Sequence, residues 1–140
     1  MTETNNLHLP QWEETDRIHH DDFNDAMAKI DTAVTEKARI VTGTYTGDGE
    51  PSLDIDLGRR PKAVFVCTEE GTVCSTASPF YYYGGLALDG IPSVRIMQGV
   101  SYPIVEITDS GFRVFNTTLT NGSRYIISNS TNTYHYIAVL

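Results

Sequence analysis

Cysteine, tryptophan, basic charge and long apolar runs are all scarce in this 140-residue chain, and each scarcity excludes something. The two cysteines, Cys67 and Cys74, have six residues between them, which is not CxxC spacing, and no histidine lies near them in sequence. A zinc site is therefore not expected. A disulfide across the Glu70-Gly71 turn is geometrically conceivable, but the cytoplasmic origin argued below disfavours it, and alternation around Cys67 reads it as a small buried hydrophobe. Lysine and arginine number 10 against 18 aspartates and glutamates, a formal charge of −8. That balance repels a phosphate backbone and offers no basic stripe, so nucleic acid is not an expected partner. No apolar run approaches the ~20 residues that span a bilayer, so no membrane insertion is expected. The opening Met1-Thr2-Glu3-Thr4-Asn5-Asn6 has neither the basic nor the apolar region of a secretory signal. It implies synthesis in the cytoplasm without a signal peptide.

What is present is globular: 40% hydrophobic and 20% charged residues, with length for one ordinary domain and an appendage. Leu7, Leu9 and Trp12 are apolar around Pro10, which blocks a helix, so this extended stretch is expected to dock on the domain or on a neighbouring subunit. Asp21 and Asp22 suit a helix N-terminus. Phe23, Met27, Ile30 and Val34 then recur at intervals of four, three and four, a stripe of about two heptads. The stripe fits packing on the chain's own sheet equally with a short bundle between identical chains. Two heptads are marginal alone and would need the following domain to help.

After Ala38 the period changes to two. Strands are expected at 40–46, 52–57, 63–67, 93–98, 102–108, 112–118, 124–128 and 133–139, joined by turns such as Gly47-Asp48-Gly49, Asp109-Ser110-Gly111 and the hairpin pair Asn121-Gly122. Short strands without intervening helices predict a mainly β protein, an antiparallel sandwich preceded by one N-terminal helix, with the division at residues 1–38 and 39–140.

Local signals for chemistry are few. Phe80-Tyr81-Tyr82-Tyr83-Gly84-Gly85 lies in the longest connection, about Ser75 to Asp89, and has the composition of a recognition loop. Tyr81, Tyr82 and Tyr83 are its candidate contacts if exposed; otherwise they pack under the sheet or between subunits. His19-His20-Asp21-Asp22 has ligand residue types but points them in different directions, so no metal or cofactor is expected. Asp54 and Asp56 share a strand face without an acid or nucleophile nearby, and read as a wet face. Asn116, Asn121 and Asn129 each open an Asn-x-Ser/Thr triplet, which turn chemistry explains.

Two resemblances cover nearly the whole chain. Gly43-Thr44-Tyr45-Thr46-Gly47-Asp48-Gly49, Leu57-Gly58-Arg59-Arg60-Pro61-Lys62-Ala63-Val64-Phe65-Val66, Gly111-Phe112-Arg113-Val114 and Tyr134-His135-Tyr136-Ile137-Ala138 together resemble the small β-sandwich of tail-fibre and receptor-binding proteins of Firmicutes phages and prophages. The same succession looks like H-type lectins, which implies a six-stranded sandwich, a trimer and sugar bound at subunit edges. Leu9-Pro10-Gln11-Trp12-Glu13-Glu14-Thr15-Asp16-Arg17-Ile18, followed by Asp22-Phe23-Asn24-Asp25-Ala26-Met27, is similar to the leader before such domains. The resemblances imply a non-enzymatic virion or phage-tail-like particle protein. It would be a homotrimer with Phe23, Met27, Ile30 and Val34 at or near its axis, attached to tail or baseplate proteins by its N-terminus through Leu7, Leu9, Pro10 and Trp12, and presenting the sandwich to a host surface glycan or protein. A free soluble lectin is the alternative; a polysaccharide hydrolase has no acid/base pair to support it.

Overall fold

The computed structural model describes residues 2–119 and 122–140. The chain divides into two compact units, Met1–Ala38 and Arg39–Leu140.

In the smaller unit, β1 (Thr2–Glu3) and β2 (Pro10–Gln11) form an antiparallel ribbon, with Thr2 opposite Gln11. The sequence reading has only an extended stretch here, because two-residue strands are too short to show a period. Helix α1 spans His20–Thr35 with Asp21 and Asp22 in its first turn. The ribbon lies along the helix face of Asp22, Ala26 and Lys29, where Lys29 Nζ donates to the His8 carbonyl at 3.0 Å and Ala26 is buried. The heptad stripe lies on a different face. Phe23, Met27 and Val34 are 52%, 49% and 62% exposed, and Ile30 is half-buried. Within this unit, no described element covers them.

The larger unit is mainly β, as expected, and sandwich-like. One sheet has the order β3 (Ile40–Thr46), β12 (Thr133–Val139), β5 (Ala63–Thr68), β7 (Gly85–Leu88). The other runs β6 (Phe80–Tyr82), β11 (Arg124–Ile127), β10 (Gly111–Thr118), β9 (Val100–Ile107), β8 (Ser93–Met97), with β4 (Ser52–Asp56) also on β10. Pairings are antiparallel except β6 with β11, which is parallel. The larger unit has ten strands among its described residues, against the six implied by the lectin resemblance. The hairpin pair expected at Asn121-Gly122 falls on Asn121, outside the described residues.

Alternation decides the core. Val64 and Val66 of β5, Tyr134 and Ala138 of β12 and Ala87 of β7 point inward, against Val105, Ile107, Phe112 and Val114 of the opposite sheet. Tyr45 stacks on Tyr134 with ring centroids 5.1 Å apart and meets Phe112 edge-on at 5.9 Å. Burial, with Tyr134 beside it, pushes the Tyr45 hydroxyl's pKa up. It stays protonated and donates to the Ser128 carbonyl at 2.7 Å.

The second sheet forks. Residues 112–114 of β10 pair with β9, but 116–118 pair with β11, and β9 leaves to follow β8. Ser128 sits at the parting: its Oγ donates to the Ile104 carbonyl at 2.7 Å and accepts from the Phe115 N–H at 2.9 Å. One buried hydroxyl thus serves backbone groups that the divergence would leave unpaired.

Candidate functional site

The stretch from Ser75 to Asp89 is not a free loop. It holds β6 and β7, which the sequence reading misses because four consecutive aromatics hide a period of two. Tyr81, Tyr82 and Tyr83 are all half-buried. Tyr81 pairs with Tyr125 across the parallel ladder and stacks on it at 5.5 Å. Tyr82 faces inward against the core, beside the fully buried Ile126. Tyr83, just past the strand, lies 6.2 Å from Tyr81 and also touches the core. The three residues therefore do different things, although they are adjacent in sequence.

Gly84 has a steric reason to follow them. A Cβ there would fall well inside contact distance of the Val66 carbonyl oxygen. Only glycine lets the chain cross β5 this closely before β7 pairs with it.

Tyr83 also lines a cleft of about 330 Å³ with Thr68, Glu69, Glu70, Thr72, Asn132 and Thr133. The turn that forms one wall is closed by Thr68 N–H to the Thr72 carbonyl and Gly71 N–H to the Thr68 carbonyl, both at 3.0 Å. The volume is at the low end for small-molecule sites. Its chemistry is an aromatic ring beside two carboxylates, threonine hydroxyls and an amide, which suits a polyhydroxylated ligand: the ring contacts C–H faces and the polar groups bond hydroxyls. Of the three candidate tyrosines, Tyr83 alone lines it. Glu69, Glu70, Asn132 and Thr133 escaped the sequence reading, because turn residues at two distant points in the chain carry no sign that they meet.

The other candidates resolve into structural roles. Asp54 takes Arg113 in a fork, Nε to Oδ1 at 2.6 Å and Nη2 to Oδ2 at 2.9 Å, and that bonding holds its carboxyl below the usual range. Asp56 accepts from the Gly58 N–H at 2.7 Å. His20 meets Asp21 at 3.1 Å on an exposed surface, and no cluster of metal-ligating side chains occurs among the described residues. Cys67 is half-buried and Cys74 exposed, both free, so Cys67 is less enclosed than its neighbours imply. Asn129 is fully buried, its amide donating to Asp48 Oδ1 and the Glu50 carbonyl at 2.7 and 2.8 Å. It pins the Gly47-Asp48-Gly49 turn. Trp12 is half-buried, its Nε1 buried without an acceptor.

Comparison with known protein families, curated proteins and solved structures finds no match to this chain.

Proposed function

We propose that this chain is a non-enzymatic subunit of a phage or phage-tail-like particle, a tail-fibre or baseplate-attached protein that presents its β unit to a host surface. The observation that carries the reading is the exposed heptad stripe on α1. Three large apolar side chains open to water on a 16-residue helix call for a cover, and the 4-3-4 spacing fits copies of the same helix. A homotrimer with Phe23, Met27, Ile30 and Val34 toward its axis is the assembly proposed, with the segment around Trp12 attaching to tail or baseplate proteins. The outer face of the β3–β12–β5–β7 sheet adds a second apolar surface, with Ile40, Ile137, Leu86 and Leu88 exposed, so the β unit can contribute to assembly. Such a protein is made in the bacterial cytoplasm and ends in the particle.

Light scattering on the full chain tests the assembly: a trimer at micromolar concentration is expected, and a monomer overturns it. Met27→Asp with Ile30→Asp should dissociate it; a trimer that survives both assigns assembly to the β unit alone. The cleft at Tyr83 favours glycan as the bound class and suits a free lectin equally. Co-purification with tail or baseplate proteins, lost when residues 1–20 are removed, separates the two readings.

A further inference from the structure

Arg95 and Arg124 differ from the other described arginines in having aromatic rings over which they lie and a buried Nε. In a chain with 18 acidic residues, Arg60 and Arg113 both find carboxylates. Arg95 and Arg124 find none among the described residues. Each guanidinium lies over an aromatic ring instead, Arg95 5.3 Å from the Tyr82 centroid and Arg124 5.1 Å from that of Phe80. Both Nε atoms are buried without a hydrogen-bond partner, and Arg124 Nη1 has only the Met97 sulfur, at 3.8 Å.

The backbone is shaped to produce this. The β8–β9 register shifts between Ser93 and Val94, with Ile104 the extra residue on β9, and along β8 the alternation runs unbroken: Val94 and Ile96 face water while Ser93, Arg95 and Met97 turn inward. In this facing, β8 gives up the burial of two aliphatic residues and brings an arginine in. β6 and β8 are opposite ends of the sheet path, yet Arg95 on β8 covers Tyr82 on β6. The sheet therefore curls until its ends meet, and both arginines stand at the junction. Phe80 and Tyr82 are two residues apart on β6, about 7 Å along the strand, so the two guanidiniums lie over neighbouring rings of one strand.

Stacking occupies the flat face of a guanidinium and leaves its in-plane N–H donors available. Those donors form a fork that matches a carboxylate or phosphate. Both arginines are half-buried, so solvent reaches them. We propose that Arg95 and Arg124 form an oxyanion-binding site at the junction of β6 and β8, selecting ligands that carry a carboxylate or phosphate group. Its use to grip an acidic polymer on a host surface rests on the receptor-binding reading above; the site itself does not.

The test is titration of the full chain with methyl phosphate and, separately, with glucuronate, following the arginine Nε–H signals by NMR. Glucose and sodium chloride at matched ionic strength serve as controls. The Arg95 and Arg124 signals should shift saturably, with millimolar midpoints, for at least one anion and for neither control. The stronger anion identifies the source as phosphodiester or acidic sugar. Arg95→Lys and Arg124→Lys keep the charge and lose the fork, and each should weaken binding about tenfold. No saturable shift in the wild-type chain, a shift that chloride reproduces, or full-strength binding by both lysine variants overturns the site. Whole-cell attachment separates the two claims. Attachment that survives loss of anion binding denies the site a receptor role, whereas anion binding without any attachment overturns the receptor reading and leaves the site standing.

Discussion

At the scale of single residues, the structure depends on buried polar groups that terminate strands. Ser128→Ala removes the hydroxyl that serves both Ile104 and Phe115, leaving buried backbone groups without partners. A loss of about 1–3 kcal/mol is expected in urea denaturation. An unchanged midpoint would mean that the fork needs no such tie. Asp48 has its pKa lowered, first by the Asn129 amide and then by the Glu50 N–H, and Asp54 by Arg113. A carboxylate with a depressed folded pKa adds stability that is complete above its ordinary value and is lost as pH falls through the lower one. The thermal midpoint should therefore hold steady against these two groups at neutral pH and decline below about pH 4. Both side chains are exposed, so the slope should be shallow, and Asp48→Asn with Asp54→Asn should make it shallower still.

At the scale of elements, β6 and its exit carry the most testable content. Tyr82→Ala opens a hole beside Ile126 and should cost about 2–4 kcal/mol. Tyr83→Ala should cost less stability and instead weaken glycan binding, if the cleft is the binding site; a glycan array with matched melting curves separates the effects. Retained binding by Tyr83→Ala would deny the cleft that role. Gly84→Ala should destabilise more than an ordinary surface change, by about 1–3 kcal/mol, because its methyl meets backbone rather than a side chain that can rotate away. Strands with clean alternation were legible beforehand: Ile40–Thr46 is observed with the expected limits, and Ser52–Asp56 within one residue of them. β6 and β7 were not, since tyrosine fits a loop, a core or a ladder equally. The inward turn of Arg95 was also hidden, because its alternation with Val94 and Ile96 predicts the aliphatic pair, not the arginine, on the inner face.

At the scale of the whole molecule, the second unit has its own hydrophobic core, drawn entirely from residues 45–140. Residues 39–140 should fold alone, with a cooperative thermal transition little changed from that of the full chain. Loss of cooperativity on deleting residues 1–20 would show the N-terminal segment to be part of that core. The helix stripe should matter to assembly and not to this transition.

Local periodicity, which depends only on neighbours in sequence, determined that this chain has one short helix followed by a β unit. It also marked the helix stripe as a face requiring cover. Tertiary structure decided which tyrosine lines a cleft, which glycine permits a close crossing, and which arginines go without carboxylates. Those outcomes depend on chain segments brought together from far apart, such as Glu69 with Asn132 and Arg95 with Tyr82. No pattern within either segment encodes the meeting, because it arises from the pairing order and curl of the sheets.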